Sequence, residues 1–170
     1  MYFDPTEIRD EYLEIVEELG ARFDELLESV EEDKPMTPSE FKEYELLQEY
    51  FDCGDPITEY KLPSENSVNH SSDAFDVWVK LERLDRVHDF CSEVGTTIDD
   101  PYSWDDMGPM IAEHNFAEYA EEFAYDVGAI QREDYSWPNY CIDWDRAAAD
   151  LKMDYNSVYW EGVEYLVRQF

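Results

Sequence analysis

Carboxylates are the side chains with the clearest chemical potential in this chain. The 170 residues include 44 Asp and Glu against 12 Lys and Arg, which gives a formal net charge of −32. Carboxylates can act as general acids and bases, bind hard cations, or attract positively charged partners. In so acidic a chain, adjacent carboxylates such as Asp99 and Asp100 arise from composition alone, so they do not indicate a catalytic or calcium site. The most regular set lies in the first predicted helix: Glu11, Glu14, Glu18, Glu25, Glu28 and Glu32.

Other reactive side chains stand alone in the sequence: His70, His88, His114, Cys53, Cys91 and Cys141. No His-Glu-x-x-His or Cys-x-x-Cys spacing supports a metal site, and no Cys-His pairing supports a nucleophile. The six glycines are scattered and form no phosphate-binding loop. We therefore predict a protein that is not an enzyme and has no metal and no cofactor.

Composition predicts a folded protein despite the charge. Chains of low hydropathy and high net charge are usually disordered. Here the hydrophobic fraction is 44% and the aromatic fraction 16%, which is enough to build a core in one domain or two small ones. The N-terminus lacks a basic flank and no eighteen apolar residues stand together, so we expect neither a signal peptide nor a membrane span. A cytoplasmic protein fits these features.

Two amphipathic helices are predicted in the N-terminal region. The first begins with Thr6 as N-cap, and its apolar residues recur at spacings of three and four. A second acidic row on this helix has heptad spacing: Asp10, Glu17, Asp24 and Glu31. The second helix begins with a capping box of Thr37 and Glu40 around Pro38 and runs to about Phe51.

The central region is predicted to contain one long helix between irregular segments. Residues 52–72 form a loop with one short extended piece near 57–62, and this loop is the expected subdomain boundary. A helix then runs from Ser72 or Asp73 to Gly95. Its bases Lys80, Arg83 and Arg86 indicate an interior or interface helix. Residues 96–109 read as a turn-rich connector.

The C-terminal region is predicted to be α+β. Asn115 caps a helix that Gly128 closes, Asp143 caps a short helix through Leu151, and an alternating segment around Glu161 and Gly162 predicts a β-hairpin. The fold class is therefore mainly α (α+β), an elongated acidic helical protein with a small C-terminal β-hairpin or short strand. Three regions are expected: 1–55 (acidic and helical), 56–112 (central helix and connectors) and 113–170 (C-terminal domain).

The acidic rows predict a positively charged partner. An α-helix rises about 1.5 Å per residue, so carboxylates three and four residues apart place a charge roughly every 5 Å. Duplex DNA carries one charge per about 1.7 Å of axis over its two strands. Two or three acidic rows approach that density and could engage Arg and Lys in a DNA-binding groove. Two alternatives remain: a solvated helix face, and an acidic adaptor or assembly protein that binds its partner through an aromatic patch.

Three segments at the C-terminal end carry a resemblance to a known family. They are an acidic, aromatic helix that ends at a glycine (118–128), the segment Ile-Asp-Trp-Asp-Arg-Ala-Ala-Ala-Asp-Leu (142–151), and a short terminal strand (157–160). Together they resemble the last domain of ArdA-type antirestriction proteins over roughly a third of the chain. Trp144 stands where that family usually has Tyr, Ala149 stands where Arg is common, and the N-terminal half does not match.

The resemblance implies a DNA mimic from a phage or mobile element. Such proteins bind host enzymes that act on DNA, chiefly type I restriction-modification or other defence complexes. It also favours a homodimer and fits action in the host cytoplasm. The net charge itself predicts no direct binding to nucleic acid or membrane, because an acidic chain is repelled by both nucleic acid and anionic lipid. The phosphate-mimicking residues expected beyond the six of the first helix are Glu118, Glu121, Glu122 and Asp126.

Overall fold

A computed structural model describes residues 2–52, 61–131, 137 and 139–168. Over these residues the mainly helical fold with a small antiparallel sheet is confirmed. In chain order the described strands and α-helices are β1 (Tyr2–Phe3), α1 (Thr6–Glu31), α2 (Pro38–Asp52), α3 (Asp73–Val94), α4 (Pro101–Met107), β2 (Met110–Ala112), α5 (Phe116–Asp126), α6 (Trp144–Leu151), β3 (Tyr155–Trp160) and β4 (Val163–Arg168).

The chain divides into two compact units. The helical unit comprises Glu7–Asp89, and the sheet unit comprises Met1–Thr6 together with Phe90–Phe170. The two units do not match the three regions expected from the sequence. The segment 52–72, expected to be the subdomain boundary, lies within the range of the helical unit. The extended piece expected near 57–62 falls mainly outside the described residues.

The first helix forms where its periodicity predicts, but its start is capped differently. The carboxylate of Asp4 accepts hydrogen bonds from the backbone N–H of Thr6 at 3.0 Å and from its hydroxyl at 2.7 Å. Thr6 is therefore not the capping residue, because the acceptor comes from two residues upstream. The residues that α1 buries lie on one face, at spacings of four and seven: Ile8, Tyr12, Leu19 and Leu26.

The second and third helices confirm their predicted signals. The Thr37 N–H donates to the Glu40 carboxylate at 2.7 Å, and the Glu40 N–H donates to the Thr37 hydroxyl at 3.2 Å, so the capping box is formed. Helix α3 ends at Val94, and the next residue, Gly95, has a φ of 75° in the left-handed region that glycine favours. As expected of an interior helix, α3 buries much of its length: Ala74, Val77, Trp78, Leu81, Leu84, Val87, His88, Phe90 and Cys91.

The sheet unit is built on an antiparallel sheet in the order β1-β2-β4-β3. Tyr2 pairs with Ile111, and Ile111 pairs with Leu166, so β2 joins the N-terminal strand to the hairpin. Neither β1 nor β2 was predicted, and the segment 96–109 proved to be more than a connector. It contains α4, whose start is capped by the Asp100 carboxylate, with Pro101 in the first turn.

Helices cover both faces of the sheet. On one face, Ile111, Tyr155 and Leu166 pack with Phe116 of α5 and Ala148 of α6. On the other, the ring of Phe90 lies 5.8 Å from that of Trp104 in α4 and 5.4 Å from that of Trp160 in β3. The core of this unit therefore lies on both sides of the strands.

The C-terminal elements follow their local signals with one exception. The Asp143 side chain accepts from the Arg146 N–H at 3.1 Å and so caps α6 as predicted. Asn115 stands at the start of α5, but its side chain makes no capping hydrogen bond. The predicted hairpin is confirmed: Glu161 and Gly162 both have positive φ, 50° and 78°, as a two-residue type I′ turn requires.

Candidate functional site

The ten carboxylates predicted to mimic phosphates fall into two sets. The six N-terminal ones lie along α1 and just beyond its end, in the helical unit; all but the half-buried Glu11 are exposed. The other four lie on α5 in the sheet unit, where Glu118 and Asp126 are exposed, and Glu121 and Glu122 are partly buried.

Two of the predicted carboxylates on α1 are neutralised by bases of α3. Glu11 accepts two hydrogen bonds from the Arg83 guanidinium, from Nε at 2.9 Å and from a terminal nitrogen at 2.7 Å. Glu18 accepts one from the Lys80 ammonium at 2.5 Å. Paired carboxylates of this kind hold α1 against α3, so they present little free charge to a partner.

Arg22 neutralises a third predicted carboxylate, Glu25, and also pairs with a buried carboxylate of α2. It contacts Glu25 at 2.7 Å, while its Nε donates at 2.8 Å to Glu43, a carboxylate that is only 2% exposed. The hydrogen bond to Glu43 is the main cause of a raised pKa of Arg22. A fourth predicted residue, Glu32, pairs with Lys34 at 2.5 Å.

Glu14 and Glu28 belong instead to a row of exposed carboxylates on the opposite side of α1 from its buried face. In the described part of the chain, no member of this row makes an ion pair or a side-chain hydrogen bond. We call the row the acidic stripe and define it as Asp10, Glu14, Glu17, Asp24, Glu28 and Glu31.

The acidic stripe is straight and regular. Its members are separated by four, three, seven, four and three residues. In the gap of seven, between Glu17 and Asp24, the exposed Ala21 takes the position on the same face where a further carboxylate would continue the row. At about 100° per residue these positions stay within about a third of the helix circumference. The 21 residue steps from Asp10 to Glu31 span about 31 Å, which is close to one helical turn of duplex DNA at about 34 Å.

The acidic stripe combines the heptad row recognised in the sequence with two of the six predicted residues. The spacing alone revealed both rows. What the sequence did not reveal was which row α3 would neutralise, because that depends on which bases of α3 face α1.

The carboxylates of α5 are used mainly within the sheet unit. The Tyr2 hydroxyl donates to Glu122 at 2.6 Å, and this bond is the main cause that raises the pKa of Tyr2 to about 12. The Tyr125 hydroxyl donates to Glu121 at 3.1 Å. Of the four, Glu118 is the exposed carboxylate for which the described residues provide no partner.

The described residues bring together no group that resembles a catalytic or metal centre. They contain no cluster of three or more His, Cys, Asp or Glu side chains that could hold a metal ion. His88 is buried and lies 3.0 Å from the Tyr12 hydroxyl, whereas His70 stacks on Phe75 with ring centres 4.4 Å apart. Cys91 is buried, which raises the pKa of its thiol to about 11.

The sheet unit also contains a cleft of about 610 Å³ that the sequence did not suggest. It lies between the C-terminal end of α3, helix α4 and the ends of β3 and β4. Asp106 and Arg168 are its charged lining residues, and the hydroxyls of Thr96 and Ser103 within it hydrogen-bond to each other. The cleft contains no nucleophile paired with a base.

Among the described residues, no helix has both the length and the apolar character needed to cross a membrane. No family model, curated protein or solved structure matches this chain.

Proposed function

We propose that this protein is a DNA mimic, an inhibitor that occupies the DNA-binding groove of a host protein acting on DNA. The observation that carries the proposal is the acidic stripe: six exposed carboxylates without partners in the described part of the chain, in line over about 31 Å. In this helix, Lys80, Arg83 and Arg22 pair with carboxylates that lie to one side of the stripe.

The helix that carries the stripe is well suited to display fixed charge. The ion pairs of Glu11 and Glu18 with α3 and the contacts of Arg22 with α2 hold α1 on its other sides. A preorganised array loses less conformational entropy on binding than flexible acidic chains do. The stripe would therefore meet Arg and Lys side chains at spacings that the helix sets in advance.

The partner we propose is a type I restriction-modification enzyme or another defence complex of the host. This choice follows the resemblance of the C-terminal segments to ArdA-type proteins, and the charge supports the wider class. A chain of net charge −32 is repelled by nucleic acid and by anionic lipid, so we propose a protein partner in the host cytoplasm.

The decisive experiment compares two variants of equal charge. The first neutralises the acidic stripe by Asp10→Asn, Glu14→Gln, Glu17→Gln, Asp24→Asn, Glu28→Gln and Glu31→Gln. The second neutralises six exposed carboxylates of the sheet unit by Asp99→Asn, Asp105→Asn, Asp106→Asn, Asp145→Asn, Asp150→Asn and Asp154→Asn. Each is titrated into a DNA cleavage reaction of a purified type I restriction enzyme.

We expect inhibition to be lost with the stripe variant and kept with the sheet-unit variant. Partial stripe variants should give graded loss, because distributed charge contacts contribute small increments. Equal loss in both variants would mean that total charge matters and the pattern does not. Abolition of inhibition by a single Glu→Gln change would contradict a distributed mimic.

The rival function is an acidic adaptor that binds through aromatic residues. Exposed rings favour it, since Tyr102 is 78%, Trp137 74% and Tyr140 69% exposed. Salt separates the two functions, because ionic contacts are screened and aromatic ones are not. A partner captured from host lysate that both high salt and competing duplex DNA displace supports the mimic, and a partner that resists both supports the adaptor.

A further inference from the structure

Among the described residues, no strand pairs with the outer edge of β3. In the sheet order β1-β2-β4-β3, this strand is hydrogen-bonded on one side to β4 and lies at the end of the sheet. A strand edge presents unpaired N–H and C=O groups that can accept another strand. The edge belongs to the sheet unit and the acidic stripe to the helical unit, so binding at this edge does not depend on the proposed function.

The hairpin geometry identifies which backbone groups face outward. A two-residue turn makes Trp160 and Val163 the closing hydrogen-bonded pair, and hydrogen-bonded pairs then alternate along the ladder. The backbone groups of Ser157 and Tyr159 therefore point away from β4. In the described part of the chain these groups have no backbone partner. The Tyr155 N–H, in contrast, donates to the Lys152 carbonyl.

The strand itself lacks the residues that usually protect an edge. Natural edge strands are blocked by charged residues, proline or bulges. The strand Tyr155–Trp160 reads Tyr-Asn-Ser-Val-Tyr-Trp and contains none of these, in a chain of which 33% is charged. Ser157 is exposed, and the Tyr159 side chain is 63% exposed. The strand is thus an uncharged, accessible template.

The exposed face beside this edge favours a basic segment. Glu164 of β4 accepts from the Ser157 hydroxyl at 2.5 Å and from the Tyr159 hydroxyl at 3.2 Å. In an added strand, the side chains on this face would lie beside Ser157 and Tyr159. A Lys or Arg opposite Tyr159 could lie over its ring and direct its charge toward Glu164.

We propose that the β3 edge binds an extended segment of a partner protein in which Lys or Arg alternates with uncharged residues, added to the sheet as a fifth strand. Main-chain hydrogen bonds would supply affinity and the alternate basic side chains would supply selectivity. Net charge argues for such an occupant over a second copy of this chain, because two copies of charge −32 repel each other.

The test uses fluorescein-labelled Lys-Val-Lys-Val-Lys-Val and fluorescence anisotropy at roughly 0.15 M salt. The matched control peptide carries N-methyl groups on its central Lys and the adjacent Val, which blocks hydrogen bonding from both of its edges without changing its charge. Whichever edge binds loses one N–H donor, and the bulk of the methyl group breaks the reciprocal bond of the same residue pair, so we expect the control to bind about tenfold more weakly or worse. A third peptide, Glu-Val-Glu-Val-Glu-Val, should not bind.

Two variants of the protein locate the site. Ser157→Pro removes an outward-facing N–H without removing a ladder bond, a position where edge strands tolerate proline. It should lose the preference for the unmethylated peptide. Ser157→Ala removes the same hydroxyl but keeps the N–H, so it should retain that preference. If Ser157→Pro fails to fold, the comparison of the methylated and unmethylated Lys-Val peptides on the unaltered protein still tests whether binding depends on main-chain hydrogen bonds.

Three outcomes would overturn the proposal. Equal binding of the methylated and unmethylated peptides would indicate simple electrostatic adsorption. If the Glu-Val peptide bound as tightly as the Lys-Val peptide, the edge would not select basic segments. Sedimentation that shows a dimer abolished by Ser157→Pro, together with no peptide binding, would assign the edge to a second copy of this chain.

Discussion

Glu11 and Glu14 lie one turn apart on α1, and we predict that their neutralisation has opposite effects on stability. Glu11→Gln breaks a two-bond contact with Arg83, in which the arginine side chain is 18% and the glutamate 44% exposed. Glu14→Gln removes an unpaired carboxylate of the acidic stripe. The two variants have the same composition and the same net charge, so any difference between them comes from position.

The magnitudes follow from these contacts. Hydrogen bonds to charged groups contribute about 1.5–3 kcal/mol, and exposed ion pairs contribute about 0–1 kcal/mol. The contact between Glu11 and Arg83 is half exposed, so its contribution should lie between these two ranges. We therefore expect Glu11→Gln to lower the free energy of unfolding by about 1 kcal/mol. Glu14 has Asp10 and Glu17 as unpaired neighbours one turn away, and like-charge pairs at this spacing cost about 0.2–0.5 kcal/mol each. Glu14→Gln should therefore stabilise the protein by about 0.5 kcal/mol.

Urea unfolding at low salt, followed by circular dichroism, measures the change in the free energy of unfolding for both variants. The slope of this free energy against urea concentration should stay the same, which shows that the unfolding transitions are comparable. Thermal midpoints should differ by about 3–6 °C between the variants, since 1 kcal/mol shifts a chain of this size by about 2–4 °C. In roughly 1 M salt the gain of Glu14→Gln should vanish, because the Debye length falls to about 3 Å. Equal shifts of the same sign would show that net charge alone governs stability and would refute the role of the Arg83 contact.

Three further results are expected. Gly20→Ala should stabilise α1 by about 0.5–1 kcal/mol in the same urea assay, because the added methyl meets only the ring of Phe51 at 3.9 Å, an ordinary contact. Glu122→Gln should lower the pKa of Tyr2 from about 12 toward its ordinary value of 10.0 in a spectrophotometric titration. Since folding raises this pKa, the bond's contribution to stability is present below pH 10 and is lost as the pH rises through 12. Cys91 should resist iodoacetamide near pH 8 until urea unfolds the protein, as peptide mass spectrometry would show, because burial raises the pKa of its thiol to about 11.

The parts of the fold that could be predicted depend on local signals. The capping box at Thr37, the end of α3 before Gly95 and the hairpin turn at Gly162 each involve residues within a few positions of one another. Such signals act on the backbone regardless of tertiary packing. Helix α4 belongs to the same class, because Asp100 followed by Pro101 is a start signal that the surrounding turn residues obscured.

The parts that could not be predicted depend on distant contacts. Strands of two and three residues, such as Tyr2–Phe3 and Met110–Ala112, are too short to show a period of two. The same reason applies to the candidate site. The acidic rows of α1 are visible in the sequence, but the choice between them is made by Lys80 and Arg83, more than sixty positions away.

The pairing of Tyr2 with Ile111 has a consequence for the order in which the protein forms during synthesis. At a translation rate of about 5–20 residues per second, β1 leaves the site of synthesis about 5–20 s before its partner strand β2 exists. The whole of Glu7–Asp89 is made in that interval and has its own core to fold around. The helical unit can thus fold while the sheet unit still lacks β2, β3 and β4, and the first strand of the chain is among the last to find its place.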